Sequence, residues 1–134
     1  MDKKEYLAKI IAKDLNGLQL ISAYCAEAKI KIKDIKYLTG NNIFLFSLVR
    51  SNREKNRKDE KINSICKFEF VDDVKSKNID QNNKDKVIEL LTIDLFKKDE
   101  NYEIILLFQN NRIITLSTEI IEVTLEDQNK GKND

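Results

Sequence analysis

The sequence predicts an α+β protein, with a mostly antiparallel, curved sheet of about six or seven strands packed on one helix in the N-terminal half. Three observations predict it. Apolar residues recur at helical spacing once, between Leu15 and Ala28. Downstream of Lys29 they alternate with period two over most of the chain. Asparagine- and glycine-bearing turns separate the alternating runs.

Taken in order, "YLAKIIAK" has the apolar density of a first strand, and Asp14 behind it suits a helix N-cap, its carboxylate accepting from the free amides of the first turn. Leu15, Leu18, Ile21, Ser22, Cys25 and Ala28 then fall on one face, with Asn16, Gln19 and Glu27 turned to water. Ser22, Ala26 and Ala28 are small enough for the helix to approach a sheet closely. Gly17 lies in the first turn, where its cost to the helix is tolerable. "KIKIKDIKYL" sets Ile30 and Ile32 against lysines, and "TGNN" (Thr39 to Asn42) closes a hairpin with "IFLFSLV", whose two apolar faces mark a central strand. "ICKFEFV" alternates Cys66, Phe68 and Phe70 against Lys67 and Glu69. "NNKDKVIELLTIDLF" reads as a brief helical turn opening near Asp85, carrying Val87, Leu90 and Leu91, that gives way to a strand. "YEIILLFQNNRIITLS" is a hairpin, because Asn110 and Asn111 tolerate the positive φ of a two-residue turn. "IIEVTLE" is a last strand. A pleckstrin-like barrel is the rival arrangement, but its helix follows the strands, whereas this one precedes most of them.

The chain has 134 residues, which suits a single domain, 1–134, ordered over about 5–127 with a frayed start and a disordered polar tail at 128–134. Lys plus Arg (24) nearly cancel Asp plus Glu (23), so bulk charge attracts the chain to neither nucleic acid nor anionic membrane. "IILLF" is far shorter than the roughly 20 residues of a membrane-crossing helix. The first residues lack the apolar core of a secretory signal, and two cysteines are too few for a disulfide-stapled secreted domain. A cytoplasmic protein with reduced, buried thiols is expected.

Histidine is absent, which removes the commonest general base, the imidazole-activated nucleophiles and the imidazole zinc ligands. Cys25 could act as a nucleophile beside a lysine, yet its place in the helical stripe favours a core thiol. Asp72, Asp73, Asp80 and Asp85 invite a metal reading. Neighbours on a strand point to opposite faces, so Asp72 and Asp73 converge only if a bulge intervenes, and Asp80 suits an Asx turn. Glycines form no phosphate loop. The residues therefore assign no catalytic group, no metal ligand and no cofactor.

The run "SNREKNRKDEK" (Ser51 to Lys61), with Arg50 before it, carries six cations against three acids and no aromatic. It reads as a solvated hairpin loop; nucleic-acid binding through Arg53, Arg57 and Lys58 is the sharper alternative. The leading functional expectation is a non-catalytic interaction or accessory domain with a protein partner or a second copy. The alternative is a small-molecule binder or enzyme using a pocket between helix and sheet, anchored by Asp80, Tyr37 or Tyr24.

"DLNGLQLISA" (Asp14 to Ala23), "DIKYL" (Asp34 to Leu38), "FEFVDDVKSKNID" (Phe68 to Asp80), "LLTI" (Leu90 to Ile93) and "IIEVTLED" (Ile120 to Asp127) stand in the order and spacing of a small bacterial family. The chain resembles Domain of Unknown Function 2948 over about Leu7 to Asp127. It departs from the family habit in placing Lys84 where a proline would precede the short helix, and in its lysine-rich connections. The resemblance implies a cytoplasmic, single-domain protein and supplies no catalytic residue.

Overall fold

The computed structural model describes residues 7–130. One helix, α1 (Leu15–Cys25), follows a short strand, β1 (Lys9–Ala12). Nine more strands complete an open antiparallel sheet: β2 (Lys29–Lys31), β3 (Ile35–Leu38), β4 (Ile43–Asn52), β5 (Arg57–Phe68), β6 (Val71–Lys77), β7 (Val87–Lys98), β8 (Asn101–Phe108), β9 (Arg112–Thr118) and β10 (Val123–Lys130). Their order is β1-β10-β5-β4-β2-β7-β8-β9-β6, with β3 as a branch on β4. The α+β class with its sheet on one helix is as the sequence predicts, and the sheet is larger than six or seven strands. No pairing joins β6 to β1, so the barrel alternative does not describe it.

Asp14 holds extended backbone, and its Oδ1 accepts from Gly17 N at 2.8 Å, which caps α1 as predicted. Leu18, Ile21 and Cys25 turn into the core, and α1 packs on β7, β1 and β4. Gly17 has a reason its helix position does not reveal. A Cβ there would stand 2.9 Å from both Cα and Cβ of Ala12, so any side chain would push the helix off β1. Ser22 Oγ accepts from Ile93 N at 2.9 Å and shares a hydrogen bond with Thr92, tying α1 to β7. The helix stops at Cys25; Ala28 is buried, but beyond its end.

On the inner face Phe44, Phe46 and Phe68 interlock with ring centroids 6.0 to 6.3 Å apart, at the centre of one continuous apolar cluster. Asn110 and Asn111 take φ of 63° and 58° between β8 and β9, as expected of the two-residue turn.

Several expectations are corrected. The stretch around Asp85 contains no helix: turns lead straight into β7, and a register shift between Leu90 and Thr92 displaces Leu91, which mimicked helical spacing. "KIKIKDIKYL" is two strands broken by a 3₁₀ turn at Ile32–Asp34. Phe70 does not join Phe68 in the core; it sits in the β5–β6 turn at φ 60°. Residues 128–130, expected in a disordered tail, belong to β10, which continues to Lys130; the rest of that expected tail, 131–134, and the start expected to be frayed lie outside the described residues.

Candidate functional site

A cavity lies between the branch strand β3 and the last strand of the sheet order, β6. β3 pairs with β4 only, and β6 with β9 only, so each keeps a free edge. These edges run in opposite directions beside a cavity of about 420 Å³. At one end Val71 N donates to Asn42 O at 2.8 Å and the Tyr37 hydroxyl donates to Val71 O at 2.9 Å. At the other, Lys33 N donates to Lys84 O and Ile32 N to Lys86 O, each at 3.0 Å. The result is a slot bridged near both ends. Its walls are mainly apolar, from Ile32, Ile35, Phe44, Val74, Ile79 and Ile114. Its polar lining residues are Tyr37, Ser76, Gln81, and, at the 3₁₀ end, Lys33 and Lys84.

Tyr37 is the one expected anchor that lines this cavity. Burial first, then the negative fields of Asp73 and Asp72, push its hydroxyl above the usual tyrosine range, which keeps it a donor. Tyr24 lies elsewhere, its ring 5.3 Å from the Arg50 guanidinium. Asp80 closes an Asx turn, accepting from Asn82 N at 3.0 Å, in the connection whose neighbours Ile79 and Gln81 reach the cavity. The cavity that Tyr37 lines is between strand edges and not between helix and sheet. A bulge does occur at Val71/Asp73, the condition for Asp72 and Asp73 to converge. Among the described residues no three His, Cys, Asp or Glu side chains group as metal ligands.

The charged run is not the long solvated loop expected. β4 extends to Asn52 and β5 starts at Arg57, leaving only Arg53–Asn56 as the tip. Arg50 is 1 % exposed and bound on two sides. It donates to both carboxylate oxygens of Asp127, the shortest contact 2.8 Å, and to Glu54 through two 2.8 Å hydrogen bonds. Asp127 also accepts from Ser64 Oγ at 2.7 Å and from Ala8 N at 2.9 Å. Burial opposes the charge on Arg50, and the hydrogen bonds with Glu54 and Asp127 outweigh it, raising its pKa further. Arg53 binds Ala26 O and Glu27, and Arg57 pairs with Glu60 at 3.4 Å. Three of the cations counted toward a nucleic-acid arm are therefore engaged within the protein.

Cys25 and Cys66 are both buried and unbonded. Burial, reinforced by the neighbouring Cys25, pushes the Cys66 thiol well above its ordinary value, so it is held protonated in the core.

Fold and cavity together define an α+β protein whose open antiparallel sheet curls over one helix and leaves an apolar slot between two unpaired edges. The chain belongs to the family described as Protein of unknown function (DUF2948), which matches residues 8–133. No curated protein and no solved structure matches it. No helix among the described residues is long and apolar enough to cross a membrane.

Proposed function

We propose that the protein is a non-catalytic cytoplasmic binding module whose site is the slot between β3 and β6. The single observation that carries this reading is the slot itself: about 420 Å³, lined by six apolar and five polar residues. That volume is within the range of about 300–1,000 Å³ common for small-molecule sites. Unpaired strand edges are usually covered, charged or twisted away; here both border one cavity. A neutral naphthylamine dye should bind wild-type protein one to one. Ile35→Trp and Val74→Trp, which fill the slot from opposite walls, should each abolish the signal while the far-ultraviolet spectrum stays native. Undiminished binding by two folded variants would reject the site.

A protein partner is the second reading, favoured by a shallow depression on the outer face of the sheet. Val49, Ile65 and Val87 floor it, and Lys29, Lys31 and Lys33 stand among its walls. Lys29 pairs with Glu89, Lys33 with Asp85, and Asp34 shares the wall, but Lys31 has no such pair among the described residues, and two copies apposed there would set it against its like, which favours a separate partner. Light scattering across a wide concentration range should accordingly show a monomer; a dimer broken by Val49→Asp would reverse that choice.

A further inference from the structure

We infer that the slot takes an amphipathic organic anion, an aliphatic chain bearing a carboxylate, with its head group at Lys33 and Lys84 and its chain between the two strand edges. This rests on the cavity reading above and adds the chemistry of the ligand. Three observations select it.

Shape comes first. β3 has four residues, about 13 Å at the usual strand rise, and backbone hydrogen bonds bridge the two walls near both ends of the slot. A polypeptide strand added to either edge would need to run out past those ends, whereas a short chain molecule fits between them. The walls come second. Ile35 and Phe44 on one side face Val74, Ile79 and Ile114 on the other, with no carboxylate among the lining residues. Such a surface accepts methylenes and penalises a charge placed midway.

Polarity comes third, because it runs along the slot. The hydrogen bond from Lys33 N to Lys84 O brings these two residues to the same end, and both are among the residues that line the cavity. The far end is acidic: Asp72 and Asp73 act on Tyr37 there. An anion is therefore drawn to the lysine end and repelled from the tyrosine end. Asp34, Asp80 and Asp85 stand close to this end in the chain, and of these Asp85 pairs with Lys33. Asp85 approaches Lys33 at 3.5 Å, but Asp85 is 87 % exposed, so water screens the pair and a bound carboxylate can displace it. Lys84 has no carboxylate within salt-bridge distance among the described residues.

The test compares three probes of equal chain length by titration calorimetry: decanoate, decanol and decylamine. Decanoate should bind wild-type protein about tenfold more tightly than decanol, the gain of charge-assisted hydrogen bonds, and decylamine should bind weakest. Changing both lysines, Lys33→Gln with Lys84→Gln, should bring decanoate down to the decanol value and leave decanol unchanged. Ile35→Trp should remove all binding. Equal affinity for decanoate and decanol would overturn the head-group assignment while sparing the cavity reading. Tighter binding of decylamine would do the same. Failure of all three probes would sink both.

Discussion

Arg50→Ala should lower the stability of this protein by about 3–5 kcal/mol, the range for leaving one partner of a buried ion pair behind. The side chain is fully enclosed, and so is Asp127, whose side chain is 1 % exposed. Removing the guanidinium strands a carboxylate that no solvent reaches. It also releases Glu54 at the hairpin tip and opens the contact with the Tyr24 ring. The network spans three strands and the chain preceding β1, because Asp127 accepts from Ala8 as well as from Ser64. Urea unfolding of wild type and variant measures the loss. Adding Asp127→Asn to the alanine variant removes the stranded charge while keeping an amide oxygen that accepts from Ala8 N and an amide N–H that can donate to Ser64 Oγ, so part of the loss should return. A loss below about 1 kcal/mol, the level of exposed pairs, would mean the network is solvated in solution. Acid should act in the same direction. Hydrogen bonds from Arg50 hold Glu54 below the usual carboxylate range, so its contribution is present above the unfolded value near pH 4.3 and fades as pH falls through the folded one.

Arg50 also shows where reading the sequence stops. Six cations close together look solvated, and nothing within the run marks one of them as buried. The partner that makes burial tolerable is Asp127, 77 residues away and next to the tail. Only the pairing of β4 with β5 and of β5 with β10 brings the two together. Elements fixed by neighbours in the chain were legible: the Asp14 cap, the Asn110–Asn111 turn, the doubly apolar central strand β4 and the alternation in β5 and β10. Local pattern misled where a bulge or kink shifted the period, at Leu91 and at Ile32. The cavity was partly legible. Tyr37 could be singled out as a polar anchor, but its setting depends on β3 and β6 each lacking a second neighbour, a property of strand order. Lys33 and Lys84 carry no local signal at all, since lysine is abundant throughout.

The phenylalanines of "FEF" separate pattern from structure most directly, and a pair of substitutions should separate them by experiment. Phe68 is fully buried, paired in register with Phe44 on one side and Val123 on the other, and its ring packs against Phe44 and Phe46. Phe68→Ala should cost about 3–5 kcal/mol, transfer and cavity terms together. Phe70 obeys the same alternation but is 46 % exposed, in the left-handed region at φ 60°. A side chain costs roughly 1–2 kcal/mol there. Phe70→Gly relieves that strain, gives back about 0.5–1 kcal/mol through the greater freedom of the unfolded glycine, and loses the contacts of a half-exposed ring. The opposing effects leave it within about 1 kcal/mol of wild type. Two residues apart and identical in type, the positions should differ several-fold in their effect on the urea midpoint. Equal losses at both would mean that β5 continues through Phe70 with its ring in the core, which would swing β6 off the line that lets its free edge meet β3.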